Sequence, residues 1–348
     1  MYYTDRKMGK RNESLDIITG IMILWMIVYH SFQWANYYDS NVFNLLLKCF
    51  YFFIPWFYFK SGFVFNKTHT LKIVVEKGIS QLLIPMILWT LIGYALTIHE
   101  LINDGIPIWK IIIRPAFILL RYGDTLGNAP LWFLLSLFLV RISMKLLANL
   151  KLGLIIAFAI SFALLGYLFN CKNFNVPLGL INYPIGMFFF LTGFVCNQLK
   201  MKQNMSKMNI VLIACTGLIS MFFFSYVDFH LNITWHGNYW VYIIGSLLAI
   251  NSLLVLFKNI RIKSLAWIGN KSLYFFVIHW PVFYIIQYIF KSIDLPLKSY
   301  FFCLTLSFGA IFLSSLIAKL IPEKYIGLDG SGIFERGKLL FRRTNKPV

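Results

Sequence analysis

Residues Ser14 to Gln33 read SLDIITGIMILWMIVYHSFQ, an apolar run broken by two ionisable side chains, Asp16 near its start and His30 near its end. A stretch of this length is a membrane span, and ionisable groups inside a span are rare because each is costly there. At 100° and 1.5 Å per residue, Asp16 and His30 lie about 40° apart around the helix and about 21 Å apart along it. They share one face at two depths, as expected of a helix that lines a polar cavity. The competing structural reading has His30 bonded to a neighbouring helix and Asp16 at the headgroups.

The same pattern extends along the chain. Of the 348 residues 59% are hydrophobic and 13% charged, and the mean hydropathy is +0.71, well outside the range of soluble domains. The expected fold is an all-α polytopic bundle forming a single integral-membrane domain over 1–348, with 322–348 as a basic cytoplasmic tail. Apolar runs near 15–34, 43–65, 80–98, 129–149, 152–170, 178–198, 209–227, 238–257, 272–290 and 299–321 suggest ten spans. The first run is too long for a signal-peptide core and has no small-residue cleavage site after it, so it is expected to remain as an anchor.

A net charge of +19 invites a nucleic-acid partner, but the cations sit in short connections, where they set topology. Arg6, Lys7, Lys10, Arg11, Lys67, Lys72, Lys77, Lys145, Lys151, Lys200, Lys202, Lys207, Lys258, Arg261, Lys263 and Lys271 all fall on the side of the termini, whereas 35–42 and 228–237 carry no Lys or Arg. The positive-inside rule then puts both termini in the cytoplasm, in a multi-pass protein of the cell membrane with no nucleic-acid role. His30 falls toward the outer half, Asp16 near the cytoplasmic boundary. Cys49, Cys171, Cys196, Cys215 and Cys303 lack CxxC spacing, so neither a disulfide framework nor a metal site is expected.

Polar residues at depth are the candidates for chemistry. Lys60, in FFIPWFYFKSGFVF, needs an anion or a water-filled cavity; Asp16, the one acid within an expected span, is its structural partner of choice. Ser61 and Gly62 beside it permit close backbone approach, and Pro55 removes a backbone hydrogen bond. His279, in SLYFFVIHWPVFYI, is either a buried imidazole bonded to a carbonyl that Pro281 frees or a second proton-handling group. His230 and His236 belong to an outer loop and are expected to face solvent, with a metal pair as the minor alternative. Lys110, Arg114 and Arg121 form a basic stripe at the outer interface, facing either anionic substrate phosphates or the headgroups of membrane lipids; Pro115 is expected to break that helix at Arg114. The segments Phe57–Phe63 and Phe188–Phe194, FYFKSGF and FFFLTGF, echo one another too weakly to claim a repeat.

The run Leu15-Asp16-Ile17-Ile18-Thr19-Gly20-Ile21 leading to His30 resembles the first-span signature LDxLRGIAxLxVVxxH of the membrane acyltransferases called acyltransferase family three. Ile54–Gly62 is similar to that family's mPlFFxxSG, Leu83–Trp89 to its LLIPYxxW, Pro130–Leu134 to its hLWFL, and Ser272–Tyr274 with His279-Trp280-Pro281 to its SLxIYxxHxP. The resemblance covers essentially the whole length. It implies a sugar O-acetyltransferase that takes acetyl-CoA as co-substrate, with no permanently bound cofactor, and a glycan or lipid-linked sugar as acceptor in surface polysaccharide biosynthesis. The implied site has His30 as base with Asp16 on the same face, and Lys60, Ser61, Arg121, Trp132 and His279 as donor- or acceptor-binding groups. Thr19 departs from the family's Arg or Lys, and the basic lead into the proline motif is reduced to Lys77 and Gln81, which leaves Lys60, Lys77 or Arg141 to meet the donor. A polysaccharide or lipid transporter and a catalytically inactive subunit of an assembly complex are the competing functions.

Overall fold

The computed structural model describes residues 12–37, 40–171, 176–199, 226–228, 234–236 and 238–328. Among them, nine helices are long and apolar enough to cross a membrane, so the chain is a polytopic helical bundle. The seventh expected span, 209–227, falls almost wholly outside the described residues, as do Cys215 and His230. Two short strands, β1 (Tyr226–Asp228) and β2 (Thr234–His236), pair antiparallel over three residues each.

The first span is α1 (Glu13–Trp34). The second, expected as one run over 43–65, is divided into α2 (Asn41–Phe50) and α3 (Phe53–Phe63). Pro55 explains the division: without an N–H it cannot bond the Tyr51 carbonyl, and the helix restarts just before it. The third begins earlier than the hydropathy suggested, because the Thr70 hydroxyl caps α4 (Leu71–Gly78) by accepting from the Ile73 N–H. It continues through a π-helical turn, Ile79–Leu83, into α5 (Ile84–Ala95). Pro85 has no N–H to give, and the Ile84 N–H reaches back to the Ile79 carbonyl.

Beyond the short α6 (Ile98–Asn103), helix α7 runs unbroken over Ile108–Tyr122. This corrects the expectation that Pro115 ends it at Arg114. The carbonyl that Pro115 leaves without a partner is that of Ile111, and the Tyr94 hydroxyl donates to it at 2.9 Å, so the helix crosses its proline with no orphaned acceptor.

The remaining helices are α8 (Trp132–Leu147), α9 (Leu152–Cys171), α10 (Tyr183–Gln198), α11 (Tyr239–Leu256), α12 (Lys263–Asn270), α13 (Ser272–Ser292) and α14 (Tyr300–Leu320). One end of the bundle gathers Ser14, whose hydroxyl donates to the Lys258 carbonyl, and Lys145, whose Nζ donates to the Lys67 carbonyl. The opposite end carries the Lys291–Glu100 pair and the Trp34–Gln287 hydrogen bond. We refer to these as the basic end and the far end.

Helix α1 is central, 78% of its most apolar window being buried by other helices. Its contact with α12 is backbone on backbone: a Cβ on Gly20 would strike the Leu265 carbonyl, and one on Gly269 the Asp16 carbonyl. Helices α3 and α10 meet in the same way. A Cβ on Gly62 would strike the Phe190 carbonyl and one on Gly193 the Phe59 carbonyl. These are equivalent positions of FYFKSGF and FFFLTGF, so the two echoing segments pack against each other as a reciprocal pair, the close approach that small residues permit between helices in lipid.

The start of the C-terminal tail is also packed. The Trp89 indole donates to the Ile326 carbonyl at 3.1 Å, and Leu328 is buried.

Candidate active site

A cavity of about 590 Å³ runs along α1, whose lining residues extend from Thr19 past His30 to Gln33, about 21 Å along the helix axis. Helices α3, α8 and α13 supply the other walls, with Glu323 and Leu328 of the tail closing part of one side. Toward the far end the lining includes His30, Gln33, Trp132 and Trp280; toward the basic end it includes Lys60, Gln81, Arg141 and Lys271.

His30 is built from its own helix. Its Nδ1 lies 2.7 Å from Gln33 Oε1, and the Gln33 amide donates to the Tyr29 hydroxyl at 3.0 Å. With the amide so oriented the imidazole is a donor at Nδ1, which leaves Nε2 to carry the lone pair. The ring meets Tyr29 and Trp280 edge-on, with centroids 5.2 and 5.4 Å away, and stacks on His279 at 5.4 Å. Gln33 was not among the sequence candidates, although its spacing of three from His30 puts it on the same helix face.

His279 is completely buried and does not line the cavity. Its Nδ1 donates to the Phe275 and Phe276 carbonyls, 3.1 and 2.9 Å away. Its Nε2 has no hydrogen-bond partner among the described residues. The carbonyl that Pro281 frees is not its partner, contrary to the sequence reading. That carbonyl belongs to Val277, four residues before the proline, and the Asn128 side-chain amide donates to it at 2.9 Å.

Lys60 lies 3.5 Å from Asp16, with the Asp16 side chain 8% exposed. This joins the two polar groups expected at depth, but it sets Asp16 behind Lys60 and remote from His30 on the same helix. Thr19, where the family pattern has a basic residue, is committed to structure: its hydroxyl donates to the Leu15 carbonyl at 2.6 Å and accepts from the Trp56 indole at 3.2 Å.

Ser61 and Trp132 line the cavity beside these groups. Arg121 does not. It is exposed on α7, its guanidinium over the Phe117 and Tyr122 rings at 5.8 and 5.4 Å. Lys77 is likewise exposed and outside the cavity. Gln81 and Lys271, by contrast, enter the lining because of local backbone events, the π turn before Pro85 and the break between α12 and α13.

The arrangement offers a base and aromatic surfaces at one extreme and cations at the other, within one continuous space. Among known proteins, the family model described as "Acyltransferase domain" matches residues 12–319. No curated protein and no solved structure matches the chain.

Proposed function

Since the chain belongs to acyltransferase family three, and is therefore a membrane acyltransferase, we propose that it moves an acetyl group from acetyl-CoA to a hydroxyl of a surface or lipid-linked glycan. The donor enters at the basic end, taken as cytoplasmic, and the acceptor reaches His30 from the far end. His30 Nε2 removes the hydroxyl proton as the oxygen attacks the thioester carbon. The tetrahedral oxyanion is met by a donor such as the Trp132 indole N–H. Collapse of the intermediate re-forms the carbonyl and breaks the C–S bond, and the departing thiolate takes the proton back from the His30 imidazolium. Gln33 holds the imidazole tautomer this cycle needs, and His279 packs the ring in place.

The observation that carries the reading is that one cavity holds His30, with its Nδ1 engaged by Gln33, together with Lys60, Ser61 and Arg141 on the way to the basic end. A base and a phosphate-compatible region in one space are what acyl transfer from a coenzyme A thioester requires. The Trp132, Trp280 and Tyr29 rings beside His30 suit the apolar face of a sugar.

The test is transfer of radiolabelled acetyl from acetyl-CoA by membranes containing the protein, with NMR of the host's surface glycan as the second readout. His30→Ala, in protein that accumulates normally, should lower transfer by about 10²- to 10⁴-fold. Unchanged acetylation would remove His30 from the mechanism and favour transport as the function.

A further inference from the structure

The cations lining the cavity differ in one respect. Lys60 has Asp16 at 3.5 Å, and Lys271 has Glu323 at 2.9 Å. Arg141 has neither an acid nor a hydrogen-bond acceptor among the described residues, although it lies inside the span Ala129–Leu147. An arginine cannot shed its charge, and its five N–H donors make a partnerless position within a span costly. Such a residue is expected to meet an anion that arrives from elsewhere.

Snorkelling to the membrane surface is the ordinary alternative. Two features of α8 speak against it. Leu134, Leu137 and Arg141 recur at three and four residues, so they form one stripe, and all three line the cavity. Lys145, one turn further along, is the residue that reaches the basic end, where it bonds the Lys67 carbonyl. Arg141 is therefore held about 6 Å deeper along the helix axis than that residue, and it faces the cavity. Helix α4 and the π turn pack against α8, and the π turn brings Gln81, a neutral amide donor, into the same lining.

We infer that Arg141 is the anion-binding residue of the cavity and that it holds a phosphate of the acyl donor through its planar guanidinium fork, the geometry that suits phosphate oxygens best. The inference rests on the donor proposed above. It replaces the contribution of a basic residue at Thr19 by one from a different helix, and it assigns to Lys60 and Lys271, which bring their own carboxylates, a smaller part in donor affinity.

The experiment uses the full-length protein in nanodiscs of phosphatidylcholine. Coenzyme A binding is measured by calorimetry for the wild type, Arg141→Gln and Arg141→Lys, alongside acetyl-pantetheine, which has no phosphate. Arg141→Gln should weaken coenzyme A binding roughly tenfold or more, Arg141→Lys should weaken it less, and acetyl-pantetheine should bind all three proteins alike. Unchanged coenzyme A affinity in a variant that melts like the wild type overturns the inference. So does equal loss of both ligands, which marks a structural role. A defect that appears only in nanodiscs containing phosphatidylglycerol overturns it in favour of a lipid phosphate. Inorganic pyrophosphate separates this inference from the reading beneath it: it should raise the melting temperature of the wild type and not that of Arg141→Gln. Should that hold with no coenzyme A binding, the donor assignment fails and the anion site stands; no difference between the two proteins with pyrophosphate overturns the site.

Discussion

The imidazoles of His30 and His279 stack with ring centroids 5.4 Å apart and planes 21° from parallel, one ring in the cavity wall and the other buried behind it. The buried ring is anchored by two carbonyls of its own helix, so it fixes the attitude of the ring in front. His279→Phe keeps a ring of similar size at the stack. It should melt close to the wild type and retain at least a tenth of the transfer activity, against a loss of about 10²-fold or more in His30→Ala. His279→Ala leaves a hole and should destabilise the protein by about 2–5 kcal/mol. Thermal melting and acetyl transfer on the purified variants check both. Equal loss of transfer in well-folded His279→Phe and His30→Ala would mean that His279 touches the reacting atoms itself.

The carbonyl of Val277, left without a helix partner by Pro281, depends on the amide of Asn128. Asn128→Leu is nearly isosteric and leaves that carbonyl buried and unsatisfied, at a cost of about 1–3 kcal/mol. Adding Pro281→Ala supplies an N–H four residues beyond Val277 and should restore most of the loss. A double variant no more stable than Asn128→Leu alone would show that the amide acts on the loop before α8 and not on α13.

These two contacts mark where reading from sequence stopped. Nine spans could be located because lipid forces each crossing to be a long apolar helix that satisfies its own backbone. The Lys60–Asp16 contact was within reach because Asp16 was the one acid available at depth. The destination of the carbonyls freed by Pro115 and Pro281 was not, since Tyr94 and Asn128 are distant in the chain or lie across a loop. Lys271 and Glu323 looked like loop and tail residues, and only the inward fold of 322–328 brings Glu323 to the cavity. Arg141 was one of three cations of equal standing until the rotation of α8 separated it from exposed Lys77. The reciprocal seating of Gly62 and Gly193 gives the faint echo of two segments a packing reason that neither segment carries alone.

The positive-inside rule predicts that the basic end is cytoplasmic, and reporter fusions at described positions test it. Alkaline phosphatase joined after Asp104, between α6 and α7, should be active, and joined after Lys67, between α3 and α4, it should be silent. The reverse pattern would bring the donor to the His30 side of the cavity and invert the proposed reaction path.

The Asp16–Lys60 contact permits a decision between two uses of one lysine. The Asp16 side chain is 8% exposed and that of Lys60 21%, so removing either partner leaves the other in a largely desolvated position. Each of Lys60→Met and Asp16→Leu should cost about 3–5 kcal/mol, read as a lower melting temperature in one detergent. The double variant Asp16→Leu with Lys60→Met removes both charges together and should be more stable than either single, because the interaction term of the cycle is large for residues in contact. Coenzyme A affinity measured on that stable double variant then isolates the functional question from the structural one. Affinity within about threefold of the wild type would confine Lys60 to holding α3 against α1. A loss comparable to that of Arg141→Gln would make Lys60 a second donor ligand whose link to Asp16 gives way when the donor binds.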